Sequence, residues 1–355
     1  MISSKVKTYM SFPKALSAGV SGAAPALEWL VPLLDAKDKN EEVLLAEANL
    51  KRDRSIGQDV HLRGLIEFSN FCRKNCHYCG LRAGNKSITR YRLSKAEIVD
   101  TAVKAEKLGY KTVVLQSGED LYFSADVMSE IIREIKTKTT LAVTLSLGER
   151  DEATYLAWRK AGADRYLLRI ETSDPELFKT IHPDSDLEER KNCIYTLKRL
   201  GYQLGSGVMV GLPSQNSESL ARDIIWMHEA GVEMVGIGPF LPHRETPLKN
   251  AESGTLGQAL RLIAVLRLVF PYAHLPATTA MGTIDTLGRE KALQAGANVI
   301  MPNITPISVK HLYEIYPNKQ GISGGDDKSY ESMKEKIISL GRTVGTDHGH
   351  VYRKK

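Results

Sequence analysis

The chain has 355 residues, 42% of them hydrophobic, with 48 Lys and Arg against 42 Asp and Glu for a formal net charge of +6. That balance suits a soluble globular protein with a sizeable core and excludes wholesale disorder. The basic residues are scattered beside acidic ones along helical stretches, which argues against a dedicated nucleic-acid surface.

Residues Met1 to Ser11 lack the long apolar core of a secretion signal, and the apolar run Ala26 to Leu34 is interrupted by Glu28 and Pro32 and is too short to span a bilayer. The expected location is the cytoplasm. Apolar residues at helical spacing over Ala26–Ala36 and Asn40–Arg52 predict a helical N-terminal extension over residues 1–58.

Beyond it, short apolar runs alternate with amphipathic helical patterns. The strand candidates are Leu62–Phe68, Thr112–Gln116, Leu141–Leu147, Tyr166–Ile170, Gly207–Leu212, Met234–Pro239, His274–Thr278 and Asn298–Met301. Ser94-Lys-Ala-Glu97 reads as a capping box, and Gly109 and Gly201 read as helix ends. Eight strands alternating with helices predict an α/β fold, a (β/α)8 TIM-type barrel over residues 59–310, with a C-terminal segment 311–355 packing on it. A doubly wound open sheet is the alternative, disfavoured because no nucleotide-binding glycine pattern follows the first strand. Barrel chemistry gathers at the C-terminal ends of strands. Polar residues stand there after nearly every one: Ser69 and Asn70, Ser117–Asp120, Ser146–Glu149, Glu171 and Thr172, His243, Thr278 and Thr279, Asn303.

Three of the four cysteines lie in Cys72-Arg-Lys-Asn-Cys76-His-Tyr-Cys79, directly after the first barrel strand; the fourth, Cys193, falls in an amphipathic helix and reads as a small buried hydrophobe. A tight cysteine cluster is a metal site rather than a disulfide framework. Cuboidal iron–sulfur clusters usually take four thiolates, so three would leave one iron open for another ligand. Zinc held by the three cysteines and His77 is the other reading, although His77 would have to fold back between two ligands.

CxxxCxxC with an aromatic residue, Tyr78, before the last cysteine resembles the signature of radical S-adenosylmethionine (SAM) enzymes. The likeness extends to Glu67–Arg82, Val114–Asp120, Thr144–Glu149, Ala163–Arg169, Met234–Phe240, Pro276–Gly282 and Asn298–Asn303, which resemble the HydE family of FeFe-hydrogenase maturases. The resemblance implies one 4Fe-4S cluster on Cys72, Cys76 and Cys79, whose open iron binds SAM and whose electron splits it into methionine and a 5′-deoxyadenosyl radical. It implies SAM contacts at Tyr78, Ser117, Gly118, Glu119, Ser146, Glu171, Arg190 and Met209. For Arg190 a solvated charge within Glu188–Lys191 is the plainer reading of the residues themselves.

Gln116, Thr144, Arg169, Met234, Thr278, Thr279, Met301 and Tyr313 match the lining of the family's substrate chamber, a set of donors with no evident acidic partner. The implied reaction acts on a cysteine-bound Fe(CO)2(CN) precursor during H-cluster assembly. The implied partners are HydG-like and HydF-like maturases and an immature hydrogenase. Methylornithine synthase, a lysine mutase, is the alternative. Lys319–Asp327 contains no cysteine, so the second cluster that some HydE proteins carry there has no ligands.

Overall fold

The computed structural model describes residues 8–319 and 326–351. Among these residues ten strands occur in chain order: β1 (Asp59–Ser69), β2 (Thr112–Ser117), β3 (Ala142–Ser146), β4 (Arg165–Leu167), β5 (Gln203–Ser206), β6 (Met209–Val210), β7 (Met234–Val235), β8 (Gly238–Pro239), β9 (Val299–Ile300) and β10 (Thr343–Val344). All pairings are parallel, in the order β1-β2-β3-β4-β5-β7, with β9 on the other side of β1. Single bridges Met234↔His274 and Pro276↔Val299 join β7 to β9 and close the ring. The barrel expected from the alternating pattern is therefore present.

Two of the expected strands differ. Gly207–Leu212 is preceded by β5, and the chain breaks between β5 and β6 where a Cβ on Gly207 would sit 1.7 Å from the Gly236 carbonyl oxygen. Only glycine permits that approach. Residues 203–206 read Gln-Leu-Gly-Ser and lack the apolar run that marks the other strands. The His274–Thr278 segment forms bridges rather than a ladder, because Pro276 has no N–H to donate.

The two-residue period of each strand decides which side chains see the interior. Along β1, Arg63, Leu65 and Glu67 line the internal cavity, while Leu62, Ile66 and Phe68 pack into the hydrophobic core outside the barrel. The same alternation turns Gln116, Thr144 and Ser146 inward and Val113, Leu115, Val143 and Leu145 outward.

The surrounding helices begin where capping residues stand. The capping box at Ser94 and Glu97 is formed, and Gly109 and Gly201 both have positive φ. The N-terminal extension has three helices, Phe12–Ser21, Leu27–Leu34 and Asp38–Ile56; the first was not marked by the sequence pattern. Its apolar residues Trp29, Leu30, Leu33, Leu44 and Ala48 are buried in the same core as the barrel helices. At the other end, β10 pairs with the start of β1, and the chain then passes beneath the barrel. There the Arg165 guanidinium donates to the His348 and Gly349 carbonyls at 2.6 and 3.1 Å, and Arg63 donates to Gly349 at 3.2 Å. Among the described residues no helix is long and apolar enough to cross a membrane.

Candidate active site

The loop after β1 carries the three cysteines across the C-terminal mouth of the barrel, and each of them is half-buried. The Cys72 sulfur accepts the Glu119 backbone N–H at 3.3 Å. Gly118 lets that turn lie against the loop: a Cβ there would meet the Phe71 carbonyl oxygen at 2.2 Å and the Cys72 Cβ at 2.8 Å. Burial pushes all three thiols up, Cys79 to about 12. Without a metal they remain protonated, and metal binding must displace their protons. Among the described residues no group of three His, Cys, Asp or Glu side chains is gathered around a single-ion position.

Behind Tyr78 and Cys79 lies a cavity of about 340 Å³ that runs down the barrel to Arg63 and His274. Every residue matched to the substrate chamber lines it: Gln116, Thr144, Arg169 and Met234 from one arc of strands, Thr278, Thr279, Met301 and Tyr313 from the other. Of the residues matched to SAM contacts, Tyr78, Ser117, Ser146, Glu171 and Met209 line it, whereas Gly118, Glu119 and Arg190 do not. Six buried polar atoms of this lining lack a hydrogen-bond partner: Arg63 Nε, Thr144 Oγ1, Arg169 Nε, Glu171 Oε2, His274 Nε2 and Thr278 Oγ1. Buried polar atoms are costly unless satisfied, so this lining fits a polar ligand.

Glu171 has φ +64, rare for a residue with a Cβ and a mark of strain that recurs at binding sites. Its carboxyl stands 3.0 Å from the Arg169 guanidinium, though without hydrogen-bond alignment. Burial raises its pKa, opposed by Arg169, by Arg190 and by a bond from Tyr78. Arg169 thus has an acidic partner, contrary to the expectation of donors without one. A second carboxylate, Glu67, is also in the chamber, buried against the Lys319 ammonium and bonded by Asn303 at 2.8 Å. Charged residues inside the apolar run Leu62–Phe68 were the signal for Arg63 and Glu67, since a buried strand turns such residues toward a cavity or a partner.

Arg190 is 6% exposed, which overturns its reading as a solvated helix charge. It pairs with Glu149, donates to the Arg169 carbonyl at 2.9 Å and lies 5.5 Å over the Phe178 ring. Burial lowers its pKa, but Glu149, together with Tyr78 and Cys76, outweighs burial and holds the guanidinium charged. Glu149 also takes Lys74 of the cysteine loop at 2.7 Å, and Glu119 takes Arg73 of the same loop at 2.6 Å. Carboxylates from the ends of β2 and β3 therefore anchor the loop by ion pairs. Of the other polar strand-end residues, Asn70 bonds the Thr89 and Leu312 carbonyls at 2.8 Å, and Thr172 reaches Asp223 at 3.3 Å. These two brace the site and do not line it. Cys193 is half-buried with its sulfur 3.7 Å from the Arg150 carbonyl, packed against the core as expected.

Asp223, which nothing in the sequence marked, is fully buried. One carboxyl oxygen accepts the Ser173 N–H and hydroxyl at 2.5 and 2.6 Å, fixing the turn that follows Glu171. Burial raises its pKa from 3.8 to about 7. The folded value lies above the unfolded one, so between about pH 4 and 7 the native chain keeps a proton that the unfolded chain releases, and stability falls as pH rises through that window. Asp223→Asn should remove this component. Thermal unfolding of metal-free protein at pH 5 and pH 8 should show a smaller decline for the variant than for the wild type, and parallel declines would refute the assignment.

A parallel barrel with a CxxxCxxC loop at its C-terminal mouth defines a radical SAM enzyme, and the profile of the Radical SAM superfamily matches residues 66–227. Over 323 residues the chain is 48% identical to the [FeFe] hydrogenase maturase subunit HydE of Thermotoga maritima, covering 91% of this chain and 92% of that one. It belongs to the HydE family of that superfamily. It is also 32% identical to the 3-methylornithine synthase of Methanosarcina acetivorans over 76% of each chain. The crystal structure of methylornithine synthase PylB superposes with a TM-score of 0.83 at 27% identity, covering 93% of this chain and 97% of that one. Membership of the superfamily implies a 4Fe-4S cluster and SAM, and the three thiols at the mouth of a cavity with unpartnered polar atoms fit both.

Proposed function

We propose that the chain is a hydrogenase maturase of HydE type, holding one 4Fe-4S cluster on Cys72, Cys76 and Cys79 and SAM between that loop and the barrel. The observation that carries this reading is that Tyr78 and Cys79 share one cavity with six unsatisfied polar atoms. When bound, the cluster and SAM supply a 5′-deoxyadenosyl radical. The chain's own residues do the rest. Tyr78, Ser117, Ser146, Glu171 and Met209 surround SAM on the cavity side, with Gly118 and Glu119 beside the cysteine loop. Arg190 acts behind Glu149 by fixing the loop. Arg169, through the Nε that its pairing with Glu171 leaves free, and Thr144 and Thr278 offer donors to an anionic substrate, which Gln116, Thr279, Tyr313, Met234 and Met301 enclose. Tyr313 is buried, and with Lys319 it closes the chamber from the C-terminal segment. Residues 59–310 carry the chemistry, the described residues of 1–58 brace the barrel from outside, and the described residues of 311–355 seal it.

The substrate in this reading is a cysteine-bound Fe(CO)2(CN) unit, delivered and received by HydG-like and HydF-like partners in the cytoplasm on the way to an immature hydrogenase. A lysine substrate is the weaker reading, because both chamber carboxylates, Glu67 and Glu171, already face a cation of this chain. Iron-loaded protein should hold about four irons. Added to the partner maturases and an immature FeFe-hydrogenase, it should raise hydrogen evolution, and Arg169→Ala should lower that gain with iron content unchanged. No gain over the mixture without it, together with conversion of lysine to methylornithine, would overturn the proposal.

A further inference from the structure

His182 closes the helix Pro175–Ile181 and is 1% exposed. The helix starts at Asp174, whose carboxylate accepts the Glu176 and Leu177 N–H groups at 3.0 Å. The imidazole stacks on Phe178 with ring centres 4.6 Å apart and meets the edge of Tyr78 at 5.4 Å. Its Nδ1 lies 3.2 Å from the Cys76 sulfur, and its Nε2 lies 3.4 Å from the Tyr78 hydroxyl, which also serves Glu171.

The contact is held from both sides. His77 donates its backbone N–H to the Ile181 carbonyl at 2.9 Å. Asn75 donates its own to the Asp184 carboxylate at 2.7 Å, and Lys74 reaches the Ser185 hydroxyl at 2.9 Å. Residues 181–185 are thus clamped along the cysteine loop, and the imidazole cannot swing away without breaking several of these bonds.

We infer that His182 is a positioning residue that donates an Nδ1–H···S hydrogen bond to Cys76 and thereby raises the reduction potential of the cluster. The inference rests on the proposal that Cys76 is a cluster ligand. A ligating cysteine is a thiolate and only accepts, so the nitrogen facing it must carry the hydrogen. A donor aimed at a cluster sulfur stabilises the more negative, reduced state, and such bonds are among the factors that set iron–sulfur potentials. The cluster in this reading must receive an electron and pass it to SAM, so a group that sets its potential sets how readily each transfer occurs.

The test is an EPR-monitored redox titration of iron-loaded protein without SAM, with iron content measured in parallel. His182→Leu removes the donor and should shift the midpoint to more negative values at unchanged iron content. In His182→Asn the amide nitrogen lies the same number of bonds from Cα as Nδ1, so this variant should restore the wild-type midpoint, whereas His182→Gln should not. If His182→Leu fails to load iron, the Asn and Gln variants decide: equal midpoints for the two overturn the inference. An unmoved midpoint in loaded His182→Leu overturns it as well, since a side chain that only packed would leave the potential unchanged. A wild-type protein that binds no iron would instead sink the cluster proposal itself.

Discussion

Replacing any one of Cys72, Cys76 or Cys79 with Ser should abolish reductive cleavage of SAM, leaving 5′-deoxyadenosine at background. A hydroxyl is a hard and weakly acidic group, and a thiolate site loses most of its affinity for iron when one ligand is exchanged for it. The surroundings sharpen the effect. Burial already makes these thiols reluctant to ionise, with Cys79 pushed up to about 12, so the cluster depends on the full strength of its iron–sulfur bonds to displace their protons. Iron content should fall below four in each variant. Cys193→Ser, half-buried outside the barrel, is the control and should retain both iron and cleavage. Full cleavage in a loop variant would remove that cysteine from the ligand set, and equal damage from Cys193→Ser would show that the losses report folding.

Arg190→Ala should lower stability by about 3 kcal/mol and weaken SAM binding as well. Removing one partner of a buried pair leaves the other charge uncompensated. Here Glu149 would keep only Lys74, and the Arg169 carbonyl would lose its donor. With Glu149 no longer fixed from the barrel side, Lys74 and the loop that carries the thiols lose an anchor. Chemical unfolding of metal-free protein measures the first effect, and isothermal titration of SAM into loaded protein measures the second. Arg190→Lys should recover part of the stability, because an ammonium still neutralises Glu149 but does not reproduce the guanidinium geometry. Wild-type stability in Arg190→Ala would mean that the pair contributes nothing. Lost stability with unchanged SAM affinity would confine Arg190 to the fold.

The sequence by itself determined the barrel and the cysteine loop. Apolar runs alternating with amphipathic helices leave few other ways to bury both faces of a parallel sheet, and a two-residue period turns Gln116, Thr144 and Arg169 inward once the strands are placed. Where the local signal was weak it misled: Gln203–Ser206 is a strand because its neighbours pair with it, and Pro276 breaks the strand expected around it. Only the tertiary structure decided the ionic pairings. Arg190 meets Glu149, 41 residues away, and Glu67 meets Lys319, 252 residues away. No pattern in either segment marks these contacts, because a charge on a helix reads the same whether it faces water or a buried carboxylate. The same holds for Asp223 beneath Ser173 and for His182 beside Cys76. Their environments are made by segments that the chain brings together only on folding, and burial then gives each charge and hydrogen bond its strength.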